Sequence, residues 1–272
     1  MKKLPLSLYI GGAITAVLVG AAIVSQFWTP ADPTAMNIAQ RMKGPGVAGL
    51  LGTDQIGRDV LSIIMAGAWT SLGIAFTATV LGSAVGTLIG ITAAALGGAF
   101  DRAVMAVNGV LFAFPPILSA ILLGALLGGG PTTAIIAIGL FMVPVFARIT
   151  RGAALQIWSR DFVQAARMAG KGPALITLQH IVPNISAQII VQLAIQTGLG
   201  ILSEAGLSFL GMSVAPPTPS WGRMLMESQT YISSAPHLVL APGLAIAIAV
   251  LGLNLLGDGL RDLIDPRKGQ AS

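Results

Sequence analysis

Three amides and one carboxyl stand out as side chains that could do chemistry in an otherwise apolar chain. Gln188, Gln192 and Gln196 recur at every fourth residue, with Asn184 before them and Glu204 beyond. Four residues carry an α-helix slightly past one turn of about 3.6 residues, so the amides form a slowly drifting stripe. Amides in a lipid setting must face protein or water. The stripe therefore reads as the wall of a solute pathway, as a contact with a neighbouring membrane subunit, or as hydrogen-bonding glue between helices. Glu204 falls near the outer end of the same segment. It reads as a helix-end carboxylate in water, a pair with a partner subunit, or a group favouring a peptide amine or a divalent cation. Nothing resembles a catalytic set: there is no nucleophile–base pair and no cluster of metal ligands. The sequence holds no cysteine, which removes thiol catalysis and thiolate ligation. His180 and His237 are expected in loops on opposite sides, with His180 bonding loop backbone, so they cannot share a metal. The chain is read as a non-enzyme with no metal site.

A second polar feature is the stretch Arg148–Asn184, which carries five of the 15 Lys and Arg residues: Arg148, Arg151, Arg160, Arg167 and Lys171. Within it Ser159 or Asp161 suits a helix N-cap and Phe162 to Ala169 is a short helical pattern. Gly170 and Gly172 stop that pattern, and Pro173 suits the first position of another helix. Phe162, Ala165, Ala166 and Met168 are small or apolar, rimmed by Arg160, Arg167 and Lys171. Such a segment reads either as a docking knob for another protein or as a basic loop lying on lipid headgroups.

The elements that position these residues are spans. The chain is 54% hydrophobic and only 9% charged, against roughly 25% charged in soluble domains. Its mean hydropathy is +0.84. The net charge of +5 flanks apolar runs rather than forming a stripe on a soluble domain, so nucleic acid is not an expected partner. Charge-free runs of about 20 residues mark membrane helices. They predict an all-α polytopic membrane protein with six spans: Leu8–Phe27, Ser71–Leu96, two helices within 103–147 parted at Gly128–Pro131, Ile185–Ser203 and Pro236–Gly257. The first run is too long for a signal peptide and is read as uncleaved. Val60–Trp69 is expected as a separate interfacial helix. Gly82, Gly86 and Gly90 make a small-residue face for a neighbouring helix. Phe114-Pro115-Pro116 should kink the third span, and Pro216–Gly222 is a turn cluster in the last outer loop. The division is 1–28 first span, 29–70 outer loop, 71–260 core with the loop 148–184, and 261–272 tail. Placing both termini in the cytoplasm puts eleven basic residues inside and only Arg41, Lys43, Arg58 and Arg223 outside.

Several motifs together resemble one family. Ala165-Ala166-Arg167-Met168-Ala169-Gly170 followed by His180-Ile181-Val182-Pro183-Asn184 is similar to the EAA loop of ABC-importer permeases. Leu51–Leu61, Gly206–Gly211, Pro216–Gly222 and Gly257–Asp262 match the second permease subunit of the dipeptide/oligopeptide/nickel importers, in the right order. The motif departs from the family at its opening acid, which is Gln164 here. The resemblance implies a type I (MetI-like) permease fold in a bacterial inner membrane, with the loop 29–70 periplasmic. It implies that Arg160, Asp161, Phe162, Gln164, Ala165, Ala166, Arg167, Gly170 and Lys171 belong to a coupling helix seated on a cytoplasmic ATPase. The other implied partners are a second, homologous permease subunit, a periplasmic or lipid-anchored solute-binding protein, and lipid.

The chain carries no phosphate-binding loop of its own. Gly170-Lys171 is followed by Gly172 and has Ala165 where such a loop needs glycine, and Lys268-Gly269 does no better. No cofactor is expected in this chain, ATP and Mg being bound by the partner ATPase. The implied cargo is a di- or oligopeptide, with nickel or another metal chelate as the alternative. An ion-coupled secondary transporter is more distant, because the spans carry almost no charge and show no matching broken helices.

Overall fold

A computed structural model describes residues 5–264, except for the side chain of Pro116. Lys2, Lys3, Asp265, Arg267 and Lys268, which entered the charge count above, lie outside the described residues. The described chain is helical: α1 (Leu6–Val24), α2 (Val60–Leu96), α3 (Gly98–Ala113), α4 (Pro116–Leu127) and α5 (Pro131–Trp158) precede a short α6 (Asp161–Met168). Then come α7 (Pro173–Ile176), α8 (Val182–Phe209), α9 (Trp221–Ser228) and α10 (His237–Ile264). Five helices are long and apolar enough to cross a membrane, and a sixth span results if the bent pair α3–α4 counts as one. Leu8 meets Gly259 across the first and last of these helices, so the two described chain ends lie together, at the end that also carries α6.

Three expectations about element boundaries are corrected. No break separates Val60–Trp69 from the following span: α2 runs unbroken for 37 residues, about 55 Å at 1.5 Å per residue. That exceeds a hydrocarbon core of about 30 Å, so the helix tilts or reaches beyond the core. Asp59 starts α2 by accepting from the Ser62 amide at 2.8 Å and its hydroxyl at 2.6 Å, satisfying donors that a helix start leaves open. Prolines 115 and 116 do more than kink the third span. They separate α3 from α4, which turn from one another by 88°. α10 also extends past Gly257 to Ile264, carrying Asp258 and Arg261 on a continuing helix.

The glycine face on α2 packs as its spacing predicts. A Cβ on Gly82 would lie 2.5 Å from the Gly139 carbonyl oxygen, one on Gly86 2.9 Å from Phe146 Cβ, and one on Gly90 3.0 Å from the Ala147 carbonyl carbon. All these partners are on α5, so α2 and α5 meet backbone to backbone along three turns. Phe146, Met142 and Ala78 fill the core beside this seam. α1 closes on α10 in the same way, through Gly11, Gly252 and Gly259.

At the α9 end the segment 29–59 folds back over the bundle. The Asp54 carboxylate accepts from the amides of Ile56 and Arg58 at 3.0 and 2.8 Å, and from Arg58 Nε at 2.6 Å. Arg58 Nη2 then reaches Glu227 Oε2 on α9 at 3.3 Å, and Arg223 Nε reaches Glu227 Oε1 at 2.7 Å. The turn cluster 216–222 delivers Trp221 into the core, fully buried. Its indole N–H donates to the Ile64 carbonyl at 3.0 Å and its backbone N–H to Ser71 Oγ at 3.1 Å. His237 lies at this end, its Nε2 3.4 Å from the Thr53 carbonyl oxygen.

Candidate functional site

α6 follows α5 after two residues and divides into two faces. Val163 and Ala166, three residues apart and so on one side, are buried against Trp158, Ile176, Ile181 and Ala154. Ala166 therefore belongs to the packed face and not to the exposed apolar set expected of it. Asp161, Gln164, Ala165 and Met168 face outward, with Met168 91% exposed. Phe162 sits at the margin, 46% exposed, its ring edge-on to His180 with centroids 5.9 Å apart.

Neither Ser159 nor Asp161 caps the helix. Ser159 Oγ bonds back to the Gln156 carbonyl at 3.0 Å, Arg160 holds the N-cap position without a side-chain bond, and Asp161 lies in the first turn, where a negative charge favours the helix dipole. The far end does stop at glycine. Gly170 has φ +80°, the Gly170 amide donates to Arg167 O at 2.9 Å and the Lys171 amide to Ala166 O at 3.1 Å. These are the paired bonds of a Schellman stop, which requires the left-handed backbone that glycine adopts freely.

Gln164 has a defined task. Its Nε2 donates to the Trp158 carbonyl at 3.2 Å, satisfying one of the acceptors left open where α5 ends. A carboxylate has no N–H to offer there. The amide thus joins α6 to α5 through the atom that an acid would lack.

The basic residues are largely engaged inside the chain. Arg151 forms a two-pronged ion pair with Asp101 at the start of α3, through Nε–Oδ1 and through Nη2–Oδ2 at 2.6 Å. The Arg148 guanidinium lies 4.5 Å over the Phe112 ring, and Phe112 in turn meets Phe141 of α5 edge-on at 6.4 Å. Arg167 lies 4.9 Å over Trp158, and Lys171 Nζ donates to Gln179 Oε1 at 2.7 Å. Arg160 is exposed. The sequence reading missed Asp101 and Trp158 as partners because they stand 50 and 9 residues from the arginines they meet.

His180 is not in a loop. Residues 177–181 form one π-helical turn that carries α7 into α8, so 173–209 is one continuous apolar helical run. The amide stripe on α8 drifts as its spacing requires. Gln188 is exposed, Gln192 half-buried and Gln196 buried, a rotation of roughly 80° over eight residues. Gln196 Oε1 is buried without a hydrogen-bond partner. The structure therefore spreads the three amides from surface to interior instead of bringing them to one wall.

Glu204 departs further from expectation. It is fully buried, neither in water nor at an open surface, because the segment after α8 and the start of α9 fold over it. Its Oε1 accepts from Ser208 Oγ at 2.7 Å and from Ser213 Oγ at 3.2 Å. Ser220 Oγ donates to Ser208 Oγ at 2.9 Å. Nothing in the residue spacing marks Ser213 and Ser220 as partners of Glu204 and Ser208, since both lie beyond the end of α8. Among the described residues no group of three His, Cys, Asp or Glu side chains could hold a metal.

Comparison with known proteins agrees with this architecture. Residues 86–270 match the family model described as "Binding-protein-dependent transport system inner membrane component". A glutathione transport system permease protein of Pectobacterium atrosepticum is 38% identical over 94% of this chain and 85% of its own length. A glutathione transport system permease protein of Shigella sonnei is 41% identical over 92% and 83%. A putative peptide transport system permease protein of Brucella suis is 41% identical over 96% and 88%. An inward-facing methionine ABC transporter structure superposes with a TM-score of 0.63 at 18% identity, covering 75% of this chain and 97% of that one, and so shares the type I permease fold. The chain belongs to the family of inner-membrane components of binding-protein-dependent transport systems.

Proposed function

We propose that this chain forms half of the translocation pathway of an ABC importer for di- and oligopeptides or related peptide-like solutes such as glutathione. The observation that carries the cargo is the identity of 38–41% to glutathione and peptide permeases across nearly the whole chain. The second half of the pathway is a homologous permease, and solute arrives from a binding protein on the α9 side. ATP and Mg²⁺ are bound by a separate cytoplasmic ATPase.

α6 is the coupling helix in this reading. Its outward face, with Asp161, Gln164, Ala165, Met168 and the margin residue Phe162, seats in the ATPase, while Arg160 and Lys171 flank it. Its inward face transmits displacement to α5. Closure of the ATPase pair draws the two coupling helices together and re-aims the spans as rigid bodies. Gln188 and Gln192, which remain accessible on α8, face the pathway or the second permease. Gln196 and Glu204 support the wall from within.

The test is uptake of a labelled dipeptide and of glutathione into proteoliposomes holding the whole complex. Uptake should require ATP and persist without an ion gradient; uptake driven by a proton or sodium gradient alone sinks the importer reading. Gly170→Val and Arg167→Glu should abolish uptake while the chain still inserts, and normal uptake with a normally associated ATPase in both rejects the coupling role. Unchanged affinity and rate in Gln192→Leu removes that amide from the pathway.

A further inference from the structure

We infer that the Arg148 guanidinium lines the translocation pathway and binds the C-terminal carboxylate of a peptide as it passes. The inference rests on the importer reading above and adds the part of the solute that this chain recognises. Arg148 stands ten residues before the α6 end of α5, about 15 Å at 1.5 Å per residue, and is exposed. The ion pairs among the described residues join Arg58, Arg151 and Arg223 to acids and leave Arg148 out. Its guanidinium lies instead over the Phe112 ring, 4.5 Å from the centroid. A cation at that depth is costly in lipid and is sustained by protein or by a water-filled cavity. A helical side chain leans toward the N-terminus of its helix, which in α5 is the end away from α6. Phe112 lies that way, because its ring meets Phe141, seven residues before Arg148, at 6.4 Å. An arginine facing lipid would turn its head back toward the nearer headgroups at the α6 end. This one leans toward the middle of the span.

The same side of the bundle carries the amides. Arg148 follows Gly139 by nine residues, about two and a half turns, so it faces away from the α2 seam. Phe141, two turns from Arg148 and on its side of α5, lines a cavity with Ser203 of α8. Gln192 precedes Ser203 by eleven residues, about three turns, and shares its side of α8. The guanidinium and the accessible amides thus border one polar side. A guanidinium offers a carboxylate two parallel N–H donors. Contact with an aromatic ring uses its face and leaves those in-plane donors for a ligand. Di- and oligopeptides share a C-terminal carboxylate whatever their side chains, as does glutathione, so one fixed cation serves solutes of varied sequence.

The test exploits the absence of cysteine from the chain. Arg148→Cys is reconstituted with the whole complex in proteoliposomes. Its thiol is left free, made cationic with an aminoethyl methanethiosulfonate, or made anionic with a sulfonatoethyl methanethiosulfonate. Labelling is followed by the mass of this chain, and the unaltered complex treated alike is the control. Uptake of labelled dipeptide at saturation should fall at least about tenfold with the free thiol, recover in part with the cationic adduct and stay low with the anionic one. Undiminished uptake with the free thiol, or equal uptake after either reagent, overturns the inference. So does a thiol that a lipid-soluble maleimide labels and the charged reagents do not, since it then lies against lipid or another subunit. A second measurement needs neither a variant nor transport. Phenylglyoxal modification of Arg148 in the unaltered complex should be slowed by a dipeptide and not by the same dipeptide amidated at its C-terminus. Equal slowing by both, or by neither, overturns the inference. A complex that imports no peptide rejects the importer reading, while the protection measurement still decides this site.

Discussion

Val163→Ala tests whether α6 is welded to the bundle by its inward face. Val163 has no exposed surface and lies against Trp158, Ile176 and Ile181. The substitution removes two methyl groups at about 0.8 kcal/mol each, and the unfilled space raises the loss to about 2 kcal/mol. α6 is short, eight residues, and held by few other contacts, chiefly Ala166, the Gln164 bond and the Arg167–Trp158 stack. The loss therefore falls on the docking of this helix more than on the whole fold. At 1.4 kcal/mol per factor of ten, detachment becomes about 30-fold more frequent. Amide hydrogen exchange reads this directly, because the Ala169, Gly170 and Lys171 amides are all bonded within the turn that ends α6. Their protection should fall about 30-fold while that of α2 and α5 amides stays constant. Met168→Ala, on the opposite face, should leave exchange untouched. Unchanged protection in Val163→Ala, or an equal loss in α2 and α5, refutes the division of α6 into a packed and a presented face.

Two more perturbations follow from the packing. Gly86→Val should destabilise the detergent-solubilised chain by about 1–3 kcal/mol or prevent its assembly, since even its first carbon meets Phe146; Gly12→Val, where a Cβ meets nothing within 4 Å, should leave the unfolding midpoint in place. Asp101→Asn should cost about 1 kcal/mol, as befits a partly exposed pair, and the exchanged pair Asp101→Arg with Arg151→Asp should restore the midpoint lost in either single variant.

The spans were legible because a charge near the bilayer centre is costly, so uncharged runs mark helices. That rule locates charges and says nothing about breaks between them. It therefore divided α2 at Trp69, where the helix continues, and ended the last span at Gly257, although Asp258 and Arg261 ride on the same helix. The glycine face of α2 and the stop at Gly170 were readable because each depends on local spacing or a local backbone angle. Ala166 was misplaced because an eight-residue helix gives little indication of which side is covered. Glu204 was misplaced because its cover comes from Ser213 and from the Ser220–Trp221 start of α9, which fold over it from later in the chain. The clasp between Asp101 and Arg151 is equally non-local. Asp101 stands 50 residues before Arg151, which the sequence presents only as one of the basic residues of the stretch 148–184.

The close approach of α2 and α5 limits where the protein can bend. Three successive glycines leave no side chain to slide past, and the Gln164 and Arg167 contacts fasten α6 to the end of the same pair. These three helices make a single girder, and a push delivered at Met168 travels along it without being absorbed. Motion must appear where the joints are softer. The break at Phe114–Pro115 is one such place, because α3 and α4 meet there at 88° and are held to the girder separately, α3 by Arg151 and Arg148 and α4 by Ala120 packed among Ala134, Ala137 and Ile138. Disulfides engineered inside the girder should leave transport intact, whereas one bridging α4 to α8 should arrest it.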